Sequence, residues 1–558
     1  MSLTMLQVLQ ERISSGLRKK AIDNPSKWAE SNRIMGMPFP GPWRFVHHPW
    51  LKEMHDSRAQ SNVGQKAAQM GYTETMLNLT FFNIDILRRD CLYVLPAKTP
   101  DASDFSASRF DPALELSDYL SKLFSDVQNI GHKRAGAVNL YIRGSKSRAG
   151  LKSVPAGFLV LDEVDEMDLD NISLAEERQS GQVHRQDWKI STPTIEGVGI
   201  NKYYQQSTQE HFFFPCPKCN KHIELKFPES IVITGQDPNH PELQGTHLIC
   251  TECKGVLPHE EKKVFLNSGK WVPQRKDTEV RGFYINQLYS PAVKPVSVAK
   301  LYLTSLVDQA AEQEFFNSKL GKTHTVEGAR ITDQMLNDCV ANHKTHIEGG
   351  YPNNNRVITM GIDVGRWLHI EIDEWYLGKV GAAAYGDANS YAIPKVIWFG
   401  KVASFDDLDR LMYEFGPHFT IIDANPERRK AYAFVQKYYG RAKMCFYSRG
   451  VNGRQCVPSP EQDQAINVDR TSWLDMSLGR FQRGKKGILL PLDIDQEYRE
   501  NLKAQVRVYL KDADNNPVGK YVTPENAADH YGHARNYAEI ALPLSLGFGA
   551  THNIPNPI

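Results

Sequence analysis

Four apolar residues that run straight into two carboxylates, Phe158-Leu-Val-Leu161-Asp162-Glu163, constrain this chain more than any other feature. A strand so apolar is buried on both faces, and acids at its end must meet water or a cation. Similar short runs stand at Cys91–Pro96, Val138–Gly144 and Trp188–Thr194, with longer helical stretches between them. Buried runs spaced in this way predict a parallel α/β sheet.

Upstream lies Lys66-Ala-Ala-Gln-Met-Gly71-Tyr72-Thr73, just before a helix-like run. The P-loop pattern G-x-x-x-x-G-K-[ST] holds phosphates with backbone N–H groups, a lysine and a hydroxyl. Here Gly71 and Thr73 take the places of the second glycine and the hydroxyl. Tyr72 stands where the lysine belongs, and Lys66 where the first glycine belongs. A lysine there can reach across the loop to the β/γ-phosphates. An incidental turn would give the same letters, but the acidic strand end downstream makes an ATPase the better reading. Asp162 then binds Mg²⁺ and Glu163 polarises the attacking water. Ser191-Thr192-Pro193-Thr194, at the next strand end, reads equally as a γ-phosphate sensor, with Thr192 at the nucleotide, or as a polar turn.

The 66 basic residues balance 65 acidic ones, which excludes a uniformly basic nucleic-acid coat. Local charge says more. From Val127 to Leu161 there is no Asp or Glu, but there are Lys133, Arg134, Arg143, Lys146, Arg148 and Lys152. Such a window is often a solvated face; beside a nucleotide site it also suits a nucleic-acid backbone gripped without base readout. No run approaches the roughly 20 apolar residues of a membrane span, and the start lacks the layout of a secretory signal.

Of eight cysteines, four form two knuckles, Cys216-Pro-Lys-Cys219 and Cys250-Thr-Glu-Cys253. Four thiolates at this spacing predict a closed tetrahedral zinc site, structural rather than catalytic, in a reducing compartment.

The Gly/Pro/Asn-rich Gly349–Arg356 reads as a linker before a second α/β domain. Asp363 ends its first strand, Val357–Gly365, and Asp423 ends another. Asp529 and His533 lie four apart in a helix-like run and share one face. Carboxylates gathered from two strand ends and a helix suit a two-metal phosphodiester nuclease. Glu371 and Glu427 are either extra ligands or surface carboxylates. The expected division is a helical lead-in at 1–60, a P-loop (ASCE-type) ATPase core at 61–210, a zinc-knuckle insert at 211–256, the rest of the ATPase domain and linker at 257–348, an RNase H-like nuclease at 349–545 and a mobile tail at 546–558. A helix is expected over 300–320, ending near Gly321.

In order, the motifs KAAQMGYT, YVLP with DFSASRF, FLVLDEVDEMD, STPT, CPKC…CTEC, GFYINQLYSP, MGIDVG, NVDRTSWLD and DHYGHARNYAEIA run from about residue 35 to 545. Together they resemble the large terminase subunit of tailed bacteriophages, in the lambda A-protein-like branch. The resemblance implies a packaging ATPase joined to an endonuclease, using ATP, Mg²⁺ (or Mn²⁺ at the nuclease) and Zn²⁺. It implies double-stranded DNA, a small terminase subunit and the portal of a procapsid as partners, and a ring of subunits in the host cytoplasm. By position it makes Lys66, Gly71 and Thr73 the phosphate-loop residues, Asp162 and Glu163 the catalytic pair, and Asp363 and Asp423 nuclease ligands. Relatives place Asp before Ala in the last helix where this chain has His533, so Asp529 or His533 completes the set. Arg109 lies in a family-like motif. Two other classes fit parts of the pattern: a zinc-bearing helicase-nuclease, and an assembly protein with dead catalytic folds.

Overall fold

The computed structural model describes residues 24–124, 127–152, 154–326, 328–345, 356–377, 388–448, 450–511, 517–524 and 527–547. Two compact units divide the chain, Met1–His324 and Thr325–Ile558. This boundary precedes the expected linker, whose residues 349–355 lie outside the described residues, as do 1–23 of the lead-in and 548–558 of the tail. Packing explains the shift: Ile331, Leu336 and Cys339 join Leu474, Phe481 and Leu490 in one core cluster, which carries helix Asp333–Cys339 into the second unit.

The first unit is built on an eleven-stranded sheet. Its strands are β1 (Ser61–Lys66), β2 (Cys91–Leu95), β3 (Val127–Asn129), β4 (His132–Ala135), β5 (Val138–Gly144), β6 (Phe158–Asp162), β7 (Gln186–Ser191), β8 (Glu210–Pro215) and β9 (His222–Ile223). After the separate small sheet of β10 (Ile231–Val232), β11 (His247–Ile249) and β12 (Val256–Leu257), the chain returns with β13 (Lys270–Val272) and β14 (Arg281–Ile285). The spatial order is β9-β8-β14-β1-β7-β6-β2-β5-β4-β3, with β13 paired to β8. Every pairing from β8 to β5 is parallel. β7 therefore lies between the strand that enters the loop and the strand that ends in acids, the ASCE arrangement.

Side chains alternate across this sheet as strand geometry requires. Cys91, Tyr93, Phe158 and Val160 face one core, while Leu92, Val94, Leu159 and Leu161 face another. Helix α1 (Tyr72–Asp85) follows the loop, and Gly71 at its start has φ +84°, a left-handed backbone that favours glycine. The helix expected over 300–320 is divided into Pro295–Ser305 and Gln309–Glu314, the second running on through a wider turn, Phe315–Lys319, that ends just before Gly321 as expected. They part where Asp308 accepts hydrogen bonds from the Ala310 and Ala311 N–H groups and so caps the second.

The second unit holds a seven-stranded sheet of β15 (Arg356–Val364), β16 (Leu368–Tyr376), β17 (Ile393–Val402), β18 (Phe419–Asp423), β19 (Ala442–Tyr447), β20 (Val457–Pro458) and β21 (Ala465–Val468). Its order is β17-β16-β15-β18-β19-β21-β20. β15, β16 and β17 form an antiparallel meander, and β18 and β19 extend it in parallel, as in RNase H-like folds. Helix α2 (His530–Ser545) lies so close on β15 that a Cβ on Gly361 would stand 2.0 Å from the Ala534 carbonyl oxygen. That close approach needs glycine and sets the start of α2 over the ends of β15 and β18. Among the described residues no helix is long and apolar enough to cross a membrane.

Candidate functional site

β1 is buried along nearly its whole length and delivers Lys66 to its C-terminal end. There Lys66 Nζ donates to Glu163 Oε1 at 2.9 Å and to Thr192 Oγ1 at 3.4 Å, so the ends of β1, β6 and β7 converge on one ammonium. Burial opposes the lysine's charge, but Glu163 and Asp162 more than offset it and its pKa lies above the ordinary value. Asp162 accepts from Tyr93 Oη at 2.6 Å and from Thr73 Oγ1 at 3.4 Å. Burial and the neighbouring Glu163 push its carboxyl up to about 6, against the pull of Lys66 and these hydroxyls. A hydroxyl and two carboxylates at the foot of a phosphate loop are the hard oxygen donors that suit Mg²⁺.

The structure corrects one residue of this set. The Tyr72 ring is only 1% exposed, turned into the core, and a Cβ on Gly64 would lie 2.7 Å from it. Its ring is thus part of the core, although the residue, at the start of α1, borders the pocket beside Lys66.

Neighbouring elements clamp the loop. Trp50 Nε1 donates to the Met70 carbonyl at 3.0 Å and Gln287 Nε2 to that of Ala68 at 2.8 Å, while the Ala68 N–H donates to the Ser318 carbonyl at 2.8 Å. Gly321, with φ +64°, abuts the loop, where a Cβ would stand 2.5 Å from Ala67 N. Asn317 Nδ2 and the His324 N–H both donate to the Thr194 carbonyl, at 2.9 and 3.1 Å. Residues 317–324 thus touch both the phosphate loop and the strand-end motif of β7.

Beside Lys66 opens a pocket of about 480 Å³, walled in part by Met35, Phe39, Trp43 and His47. Sequence reading treats Pro38–Trp43 only as a helix breaker; its aromatic density is the signal that it lines a site. Arg109 also borders this pocket, paired to Glu74 at 3.0 Å.

The basic window divides. Arg134, Lys146, Arg148 and Lys152 are exposed. Lys133 is 1% exposed and donates to Asp111 Oδ1 at 2.7 Å, so the structure removes it from any nucleic-acid surface. Arg143 is half-buried, donates to the Ile142 and Gly131 carbonyls and lies over Tyr141. Its guanidinium is largely spent on the fold.

Cys216, Cys219, Cys250 and Cys253 bring their sulfurs within 4.8 Å of one another. Cys216 and Cys253 are 4.0 Å apart and Cys219 and Cys250 3.9 Å, close to the edge of about 3.8 Å expected for a tetrahedral Zn–S₄ site. Asn220 and Lys254 close the two knuckles with φ near +60°, and N–H groups of Lys218 and Glu252 point at sulfurs. The donor set fits zinc.

In the second unit Asp363 is the penultimate residue of β15 and Asp423 the last of β18. Burial and then the nearby Asp363 push the Asp423 carboxyl up to about 7, and His533 pulls the other way, so these three share one field. Asp529 stands just before α2 instead of lying within it and does not cap it; its Oδ2 accepts from Thr523 Oγ1 at 2.8 Å and Gln505 Nε2 at 3.1 Å and lies 3.3 Å from His533 Nε2. That leaves His533, also 3.0 Å from Tyr447 Oη, as the member of the pair felt by Asp423. Sequence reasoning missed His530, whose Nδ1 is 2.8 Å from Asp363 Oδ2. It also missed Arg428, Arg429 and Lys430, exposed in the first turn of helix Arg428–Lys437, which follows β18 and Asp423.

Glu371 is no ligand and no surface carboxylate. It is fully buried, accepting from Arg535 Nη1 and Tyr498 Oη, each at 2.7 Å. Arg535 also pairs with Asp373 and with Glu539, and Glu539 with Arg480, all buried. Glu427 is exposed and lies 3.4 Å from Lys430.

An ASCE sheet with a lysine-and-acid phosphate site, followed by an RNase H-like sheet with acids at its strand ends, defines a nucleotide-driven enzyme that also cuts nucleic acid. Two family models of one kind match the chain: "Phage terminase large subunit gpA, ATPase domain" over residues 38–271 and "Terminase large subunit gpA, endonuclease domain" over residues 280–546. The chain belongs to the gpA family of phage terminase large subunits. It is accordingly an ATPase and a metal-dependent endonuclease of DNA packaging. No curated protein matches it. Among solved structures it is similar to the large terminase of bacteriophage HK97, with 11% identity, 93% of this chain and 99% of that chain covered, and a TM-score of 0.47. It is also similar to the large terminase of a thermophilic bacteriophage, with 11% identity, 86% of this chain and 93% of that chain covered, and a TM-score of 0.30. A third is the large terminase nuclease of the thermophilic phage G20c with bound magnesium (12%, 37% and 94%, 0.23).

Proposed function

We propose that ATP hydrolysis at Lys66, Asp162 and Glu163 drives double-stranded viral DNA into procapsids, and that Asp363 and Asp423 cut concatemeric DNA before and after packaging. The reach of Lys66 from the wrong end of its loop to Glu163 and Thr192 is the observation that supports this best. As phosphates enter, Lys66 exchanges Glu163 for their oxygens, and Glu163 becomes free to orient and deprotonate the attacking water. Thr73 and Asp162 hold Mg²⁺. When bound, Mg²⁺ neutralises phosphate charge and, at the nuclease, where Mn²⁺ serves too, makes its water more acidic. Thr192 registers loss of the γ-phosphate, and residues 317–324 carry that change onward from Thr194 and Ala68.

Arg134, Lys146, Arg148 and Lys152 grip the duplex backbone, and Arg428, Arg429 and Lys430 present it to the nuclease. Asp363, Asp423 and His533 hold the nuclease metal, with Asp529 orienting His533. The four cysteines hold one structural zinc. A small terminase subunit selects the DNA, the portal receives the motor, and a ring of subunits keeps DNA held between strokes in the host cytoplasm.

Glu163→Gln tests the reading: DNA-stimulated ATPase activity should fall about 10²-fold or more, and unchanged turnover would contradict it. Unwinding of a forked duplex by the isolated protein would favour a helicase-nuclease instead.

A further inference from the structure

Helix α1 joins two places in the first unit. Its first turn carries Thr73 at the phosphate loop, and its later turns, with Leu79, Phe82 and Asn83, wall a cavity of about 290 Å³. The segments that lead into β1 and β7 close this cavity with Arg58, Gln60, His184 and Arg185, and Arg89 enters from the turn between α1 and β2. Two strands of 6 residues and a helix of 14 place it roughly 20 Å from Lys66, Thr192 and Thr73. Its frame is pinned: Gln186 Nε2 donates to the Ser57 and Ala59 carbonyls, each at 3.1 Å, and the Arg89 N–H donates to the Asn83 carbonyl at 3.0 Å.

The charge of this cavity has one sign. Among the described residues, three arginines and a histidine border it and no Asp or Glu does. Arg58, His184 and Arg185 are exposed. Arg89 is half-buried, and its guanidinium donates to a neutral acceptor, Asn83 Oδ1, at 3.5 Å. Burial holds its pKa below the ordinary arginine value, with no carboxylate beside it to restore the charge. Like charges gathered in a concave site raise the local potential and draw an anion in. The rest of the wall is apolar. Pro25, Leu79 and Phe82 are buried, while Leu87 is 38% and Val183 92% exposed. Arg58, Gln60 and Arg185 also border a second cavity, of about 630 Å³. That one holds Glu279 and the ion cluster of Lys189 with Asp187 and Glu176, so the groove runs on and loses its single sign.

We propose that this cavity is a docking site for an extended acidic segment of a partner protein. A carboxylate of the segment sits among Arg58, Arg89 and Arg185, whose planar forks each match it with two parallel hydrogen bonds. An apolar side chain beside it covers Leu79 and Phe82. The apolar wall favours a peptide over nucleic acid. A duplex offers its phosphates on a convex polar surface, which rides over the rim and leaves an apolar recess unfilled. An extended peptide points successive side chains to opposite sides, so that one segment brings both charge and apolar surface to a groove. None of these residues belongs to the nucleotide or the nuclease site, so the docking site can be removed without touching either.

The test uses the full-length chain and three fluorescent probes read by anisotropy: a short peptide of alternating Glu and Leu, an all-Glu peptide of the same length, and a short DNA duplex. The alternating peptide should bind the wild type more tightly than the all-Glu peptide does. Arg89→Ala and Arg185→Glu should each weaken its binding about tenfold or more, while kcat for ATP stays at the wild-type level. Arg185 is exposed, so Arg185→Glu keeps the fold, and a melting curve checks Arg89→Ala. An alternating peptide that fails to bind, or that binds both variants as it binds the wild type, overturns the proposal. Equal binding of the two peptides overturns it too, since charge alone would then be at work. If the duplex loses affinity in both variants while the peptide does not, the cavity belongs to the DNA track and the proposal falls.

Discussion

Lys66 Nζ and Glu163 Oε1 lie 2.9 Å apart although their strands are not neighbours, β7 running between them. A lysine at the head of the loop and a glutamate at the end of the acid strand therefore act as one unit across three strands. Lys66→Ala should lower kcat for ATP about 10²-fold or more and weaken nucleotide binding. Glu163→Gln should lower kcat comparably yet keep binding. Because the two side chains pair with each other, the double variant should fall much less than the product of the two effects, which steady-state kinetics with a nucleotide-binding titration will read.

The basic window should separate into stability and binding. Alanine at Arg134, Lys146, Arg148 or Lys152 should weaken DNA binding uniformly across sequences. Each such change should reduce the slope of log affinity against log salt by roughly 1, the share of one phosphate-bound side chain. Lys133→Met should instead lower Tm, because it strands Asp111, and leave the salt slope unchanged.

Gly361→Ala tests how α2 is seated. A methyl group there meets the Ala534 carbonyl oxygen at 2.0 Å and Ala538 N at 2.2 Å, both backbone atoms. Helix α2 must move, at a cost of about 1–3 kcal/mol or more, and it carries His530 and His533 with it. DNA cutting should be lost while ATP hydrolysis persists, measured side by side on one preparation.

The buried network around Arg535 predicts a pH effect on stability. Burial, reinforced by Glu371 and Glu539 and opposed by Arg535, pushes the Asp373 carboxyl up to about 8. Unfolded, it would ionise near 4, so between those values the folded state holds the extra proton. Stability from this group is full below about 4 and is lost as pH rises toward 8. Glu539 acts oppositely: Arg480 and Arg535 hold its carboxyl well below the ordinary value despite burial, so its contribution is lost only in acid. Thermal melts from pH 6 to 8.5 should show a fall in the wild type that Asp373→Asn reduces, whereas Glu539→Gln should lower Tm throughout.

Zinc should be structural. A chelator strong enough to empty the cysteine site, or Cys250→Ser, should release about one zinc per chain and lower Tm. Protein that remains folded should hydrolyse ATP with an unchanged KM, because the knuckles contribute nothing to the nucleotide pocket.

Features legible in the sequence are those whose chemistry is local. The apolar runs of β2 and β6, the acids at strand ends and the cysteine spacing each declare themselves within a few residues. Tyr72 and Lys133 mislead because a letter in a motif or a window does not say which way the side chain turns; one ring enters the core, and one ammonium finds Asp111. Glu371 and Asp373 alternate with Ile370 and Ile372 in β16 and so read as the wet face of a strand. That face is covered by α2, where Arg535 and Glu539, four apart, meet the acids. His530 becomes visible only once α2 lies over β15 and sets it against Asp363, and no local pattern carries that information.

The clearest trial of two separate engines in one chain is packaging of DNA into purified portal-bearing procapsids with ATP, comparing wild type, Glu163→Gln and Asp363→Asn. Glu163→Gln should package nothing, and Asp363→Asn should package pre-cut linear DNA at the wild-type rate but leave concatemers uncut. Packaging by Glu163→Gln, or failure of Asp363→Asn to drive linear DNA inward with ATP, would contradict the assignment of the two sites.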